Sequence, residues 1–154
     1  MKIRNILIGL VFGAVLFSSN ASAQTAKDSV ETTIRQMFEA MAGVDTVKLS
    51  GCFAPGSIQQ TISIGKDGKE TVMTVSLSQF TTSISKLIKG DADERIEFAS
   101  VQIDGSLASV WTPYKFYYKG KFSHCGANSF QLVRTEAGWK IQYLIDTRRR
   151  QACE

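Results

Sequence analysis

The chain has 154 residues, is 44% hydrophobic and 21% charged, and carries 18 Lys and Arg against 14 Asp and Glu, a formal charge of +4. Without Lys2 and Arg4 the balance is 16 to 14, or +2, too small to point to nucleic acid or an anionic membrane surface as partner. The length suits one domain with one core, and no internal repeat, low-complexity tract or linker interrupts it.

Met1 to Arg4 are basic, Ile6 to Phe17 are almost wholly apolar, and Ser18 to Ala23 end in Ala21-Ser22-Ala23. These are the charged, hydrophobic and small-residue parts of a secretory signal, so residues 1–23 read as a leader cut before Gln24. The apolar run is shorter than the ~20 residues of a spanning helix. A lipid anchor would want Cys where Gln24 stands. The expected product, residues 24–154, is a periplasmic or secreted domain with no membrane attachment after cleavage.

Gln24 to Gly43 predicts an amphipathic helix, with Val30, Ile34, Met37, Phe38 and Met41 on one face. Asp45 caps a short second helix to about Phe53, stopped by Pro55-Gly56. Ile58 to Ile64 and Thr71 to Ser76 form a hairpin about a KDGK turn. Ser78 caps a third helix closed by Gly90, and after the acidic loop Asp91 to Glu94 a strand runs from about Arg95 to Ile103. From Leu107 to Arg150 aromatic and β-branched residues alternate with polar ones, broken only at KGK and TEAG, which predicts three long strands. Helices followed by hairpin-linked strands give an α+β fold. The expected form is a cone: a curved antiparallel sheet whose concave side is covered by about three helices.

Because strand side chains alternate, hairpin parity assigns them to faces. Flanking TEAG with Arg134 and Trp139 pairs Leu132 with Ile141, Phe130 with Tyr143, Asn128 with Ile145 and His124 with Arg149, on a mostly apolar and therefore concave face. KGK taken as a three-residue loop adds Val110, Thr112, Tyr114, Phe116 and Tyr118 to that face. Glu97 and Arg95 then fall on the inner side near the open end. Cys125, Gln131, Gln142, Asp146 and Arg148 fall on the outer face, as do Trp111, Tyr117 and Leu144, whose exposed apolar surface suits a protein interface.

This order resembles the nuclear transport factor 2-like superfamily, the cone-shaped group that includes SnoaL-like polyketide cyclases, ketosteroid isomerase and scytalone dehydratase. The last third, WTPYKFYYKGKFSHCGANSFQLV and GWKIQYLIDTRRR, is similar to exported bacterial members of lumazine-binding type, through the motifs FSHCG, NSFQL and IDTRR. The resemblance implies a nuclear transport factor 2-like domain over residues 24–154 and a homodimer formed through the outer sheet face.

The leading expectation is a pocket for a small, partly aromatic organic ligand. Tyr114, Phe116, Phe130 and Tyr143 would wall it, and His124, Asn128 and Arg149 would orient the ligand. The alternative is an enzyme of proton transfer or dehydration, with Glu97 and His124 as acceptors and Tyr114 as donor. A third is a dimeric interaction module without a ligand. No cofactor motif occurs, and His124 and Cys125 point to opposite sheet faces, which disfavours a metal site. Three cysteines in an oxidising compartment leave one unpaired. A tail bending back after Arg150 would join Cys125 to Cys153, with Cys52 a buried small hydrophobe.

Overall fold

A computed structural model describes residues 18–65, 67–151 and 153. Most of the expected leader, residues 1–17, lies outside the described residues. The apolar face read at Val30, Ile34, Met37 and Met41 is buried on helix α1 (Ser18–Ala42). Asp45 caps α2 (Thr46–Gly51) by accepting from the Lys48 backbone N–H at 3.0 Å. Among the described residues no helix is long and apolar enough to cross a membrane.

The first strand differs from expectation. β1 (Phe53–Ile64) begins before Pro55-Gly56, because Phe53 already pairs with Ile141 of the last strand. Gly56, at φ +73, sits in the irregular stretch that lets the pairing resume at Ile58. β2 (Glu70–Val75) returns as the hairpin partner. Helix α3 (Leu77–Ile84) is capped by Ser76 rather than Ser78, because Gln79 completes a capping box with Ser76. It ends well before Gly90: the Ile88 N–H turns to Asp91 Oδ2 and the Gly90 N–H to Ala42 O.

The strand expected from Arg95 to Ile103 is two strands, β3 (Ala92–Ile96) and β4 (Ser100–Asp104), both antiparallel to β5 (Leu107–Tyr118). Ile96 pairs with Tyr114 and Ser100 with Trp111, so the first side carries one more residue than the second. That extra residue is a bulge. β6 (Lys121–Thr135) and β7 (Gly138–Thr147) complete the sheet, in the order β2-β1-β7-β6-β5-β3 with β4 beside β5. Every pairing is antiparallel except β1 with β7, a closure between distant strands that hairpin reasoning does not supply.

The turn before β6 is the two-residue Lys119-Gly120, both at positive φ, rather than three-residue KGK. A register shift at Ser123 restores the parity of the longer loop, so Val110 faces Phe130, Thr112 faces Asn128 and Phe116 faces His124 as expected. β6 and β7 start as expected, with Arg134 opposite Trp139 and Leu132 opposite Ile141. Gln131 then pairs with Tyr143, leaving Gln142 as an unpaired bulge. Beyond it Phe130 pairs with Leu144 rather than Tyr143, and Asn128 with Asp146 rather than Ile145. The core under the helices is Val30, Ile34, Leu49, Phe130, Leu132 and Ile141, each fully buried.

Candidate functional site

The two bulges choose the carboxylates that enter the concave face. A one-residue insertion flips every side chain beyond it. In β3 this sends Glu97 and Arg95 to solvent and brings Ala92, Glu94 and Ile96 inward opposite Tyr118, Phe116 and Tyr114. In β7 it sends Tyr143 outward and brings Leu144 and Asp146 inward. Arg148, just past the strand, also lines the cavity. The outward placement of Asp146, Arg148 and Leu144 is thereby corrected, as are the inward placements of Glu97, Tyr143 and Arg149.

A cavity of about 240 Å³ opens between the concave sheet and the helices. Its apolar wall is Met37, Phe38, Met41, Phe80, Ile84 and Leu144, and its polar groups include Gln59, Glu94, His124, Asn128, Asp146 and Arg148. Phe116, His124 and Asn128 of the expected ligand-binding set are present in that wall. Phe130 lies fully buried behind it, edge-on to Phe38. Tyr143 gives its hydroxyl hydrogen to Gln60 Oε1 at 2.6 Å, and Arg149 is exposed, bound through its backbone to Cys125.

Asp146 is the hub of a hydrogen-bonded network. Its Oδ1 accepts from Thr61 Oγ1, and its Oδ2 from Arg148 Nε at 2.9 Å and Tyr114 Oη at 3.1 Å. Asp146 and Arg148 are two apart in β7 and its extension, which puts them on one face and explains their pairing. Tyr114 also reaches Thr147 O at 2.9 Å. Its ring crosses Gly126, the one residue type that fits there: a Cβ would lie 1.8 Å from Thr147 O and 2.9 Å from Tyr114 Cε1. Burial, then the charge of Asp146, pushes the Tyr114 phenol far above its ordinary range. Tyr114 therefore stays a neutral donor. The Asp146 carboxylate raises Arg148 against the opposing effect of burial.

Glu94 differs. Its Oε1 accepts one bond, from Asn128 Nδ2 at 2.9 Å, while the second Asn128 amide hydrogen goes to Thr112 Oγ1 at 3.3 Å. Burial, with the nearby Asp146 charge, outweighs that bond and raises the carboxyl to about 7. His124 packs against Phe116 (4.9 Å between ring centres) and edge-on to Tyr114 (5.7 Å), with Ser123 Oγ 3.1 Å from Nδ1. Burial and the Arg148 charge lower its pKa, which favours a neutral imidazole. Gln59 is only 6% exposed, and its Oε1 has no partner although Nε2 donates to Ser57 Oγ.

Glu94, Asp146, Arg148, Gln59 and Thr61 escaped sequence reasoning. Glu94 sat in a run read as an acidic loop, and its flanking Ala92 and Ile96 were the available sign of an inward strand. Among the described residues no three His, Cys, Asp or Glu side chains gather as a metal site. Cys125 and Cys153 are joined by a disulfide, with Cα atoms 5.8 Å apart, and Cys52 is buried and free.

No protein-family model and no curated protein matches the sequence. Solved structures match in shape. A protein of unknown function from Shewanella baltica described as NTF2-like (nuclear transport factor 2-like) superposes with a TM-score of 0.61 at 14% identity, over 86% of this chain and 98% of that one. A candidate dehydratase of the NTF2-like family from Streptomyces avermitilis gives 0.61 at 16% identity, over 82% and 98%. An NTF2-like protein with a cystatin-like fold from Novosphingobium aromaticivorans gives 0.64 at 14%, over 87% and 88%. The chain therefore has the nuclear transport factor 2-like, cystatin-like fold: among the described residues, a curved seven-stranded sheet with three helices.

Proposed function

We propose that this is an exported binding protein for a small organic ligand held in the concave cavity. The cavity itself carries the reading: about 240 Å³ left open between an apolar wall and converging Glu94, His124, Asn128 and Arg148 side chains. Pockets that hold small molecules combine such a wall with a few placed polar groups. Export is supported by the three-part leader and fits a disulfide-linked tail. The likeness of the last strands to the exported lumazine-binding type is a resemblance of motifs, and lumazine itself is one ligand to try. Leu144→Trp tests the reading by filling the cavity. Ligands that raise the melting temperature of the wild type should have no effect on this variant once circular dichroism shows it folded. Equal shifts in both would count against the cavity.

A second reading, proton transfer, is favoured by the place of Glu94 in the cavity wall with one described hydrogen bond, where burial raises its carboxyl to about 7, suited to taking and returning a proton at neutral pH. Glu94 then replaces Glu97 as acceptor, with His124 beside it in the wall. Tyr114 is not a cavity-wall residue; it orders Asp146 from behind.

We also propose a homodimer through the convex sheet face. Trp111 and Ile58 are each 47% exposed there. Light scattering at tens of micromolar giving a monomer mass would overturn this.

A further inference from the structure

The polar groups of the cavity are unequally matched. Asp146 accepts three bonds, and its charge is balanced by Arg148. Both Asn128 amide hydrogens are engaged. His124 has its imidazole wedged among aromatic rings. Asn128 Oδ1 has no described donor, and two further acceptors stand open. No described hydrogen bond reaches Glu94 Oε2, and Gln59 Oε1 is buried without a partner. With Asp146 and Arg148 cancelling, ionised Glu94 is the uncompensated charge of the cavity. What the walls lack is a pair of donors and, at Glu94, a positive charge; a buried acceptor without a donor is costly.

We propose that the cavity takes a small organic amine as its ammonium cation, held by Glu94, with an aromatic ring on the apolar wall and a second N–H or O–H given to Gln59 Oε1. This rests on the binding reading above and adds the ligand class. Glu94 on β3 reaches over β5 to Asn128 of β6, and Gln59 stands on β1, beyond β7. A ligand touching both must cross the cavity, which places its ring against Leu144 and the helix side chains. The 240 Å³ available exceeds the ~150 Å³ that encloses benzene, so one ring with two short polar arms fits. A carboxylate ligand would meet the Glu94 charge, while the charge of Arg148 is already balanced by Asp146.

Binding should weaken as pH falls through about 7, where Glu94 gains its proton. The other titratable groups on the wall are His124 on β6, Tyr118 on β5, Asp146 on β7 and Arg148 just past it; α1 and α3 contribute only Met, Phe and Ile, and Leu87 follows α3.

Calorimetric titration at pH 8 with four matched probes tests this. Tyramine carries both donors and the charge; 4-methoxyphenethylamine lacks the phenol donor, 4-hydroxyphenethyl alcohol the charge, and 4-hydroxyphenylacetate reverses it. Tyramine should bind at least about tenfold more tightly than the alcohol or the acid, the factor expected of one hydrogen bond to a charged group. Glu94→Gln should remove that preference. Gln59→Met should weaken tyramine but not its methoxy analogue. Equal or tighter binding of the alcohol or acid would overturn the amine class and leave ligand binding standing. Silence from all four probes would also overturn the class; ligand binding then stands or falls on whether protein from its own host carries a bound small molecule.

Discussion

Glu94 and Asp146 are two carboxylates on one concave face with opposite fates. Asp146 has three donors, whereas Glu94 has one, and burial raises it to about 7 from an ordinary 4.5. In the unfolded chain Glu94 ionises near 4.5, so between 4.5 and 7 the folded state keeps a proton that the unfolded state has released. Stability therefore falls as pH rises through that window and levels off above it. At about 1.4 kcal/mol per unit, the cost approaches about 3 kcal/mol. Glu94→Gln should be more stable than the wild type by up to about that amount at pH 8 and nearly equal to it at pH 4, read by urea denaturation. A difference that does not change with pH would contradict the raised carboxyl. Asp146→Asn should instead destabilise at neutral pH by about 2–3 kcal/mol, since it removes the charged acceptor facing Arg148, Thr61 and Tyr114. Chemical denaturation would show it as a lower midpoint with the same slope.

At the scale of elements, the helix faces, the hairpin pairing of the last three strands and the inner row Val110, Thr112, Tyr114 and Phe116 were legible, because helical and strand periods are local properties. The two bulges were not. Regular parity made Tyr143 and Ile145 inward, a more apolar choice than Leu144 and Asp146, so the rule that apolar residues face inward selected the wrong register past Gln142. In β3 one bulge exchanges Glu97 for Glu94. A bulge leaves one residue unpaired, a cost that pairings outside its own strand repay, and sequence periodicity does not report those pairings. Here the partner is β1, whose own irregular stretch between Phe53 and Ile58 lies alongside Gln142. Gly126 records the result, since only there do Thr147 O and the Tyr114 ring close over a bare backbone. Gly126→Ala should lower stability by about 3 kcal/mol or more, visible in thermal melting, because the blocking atom is a backbone carbonyl.

For the whole molecule, the parallel pairing of β1 with β7 brings strands from the two ends of the sheet's sequence side by side, and the Cys125–Cys153 bond ties the tail to β6 across 28 residues. Linking residues that far apart limits the unfolded chain by about 3–4 kcal/mol. Cys153→Ser should lose a stability of that order in denaturant, and a wild type treated with reductant should match it. The cavity belongs to this scale as well, since its wall draws on α1, α3 and both edges of the sheet's concave side. Its central role is tested most directly by native mass spectrometry of protein purified from its own host. The wild type should carry an additional small-molecule mass that disappears on denaturation and is missing from Leu144→Trp. An unliganded wild type, or the same added mass on the filled variant, would contradict a ligand held in the concave cavity.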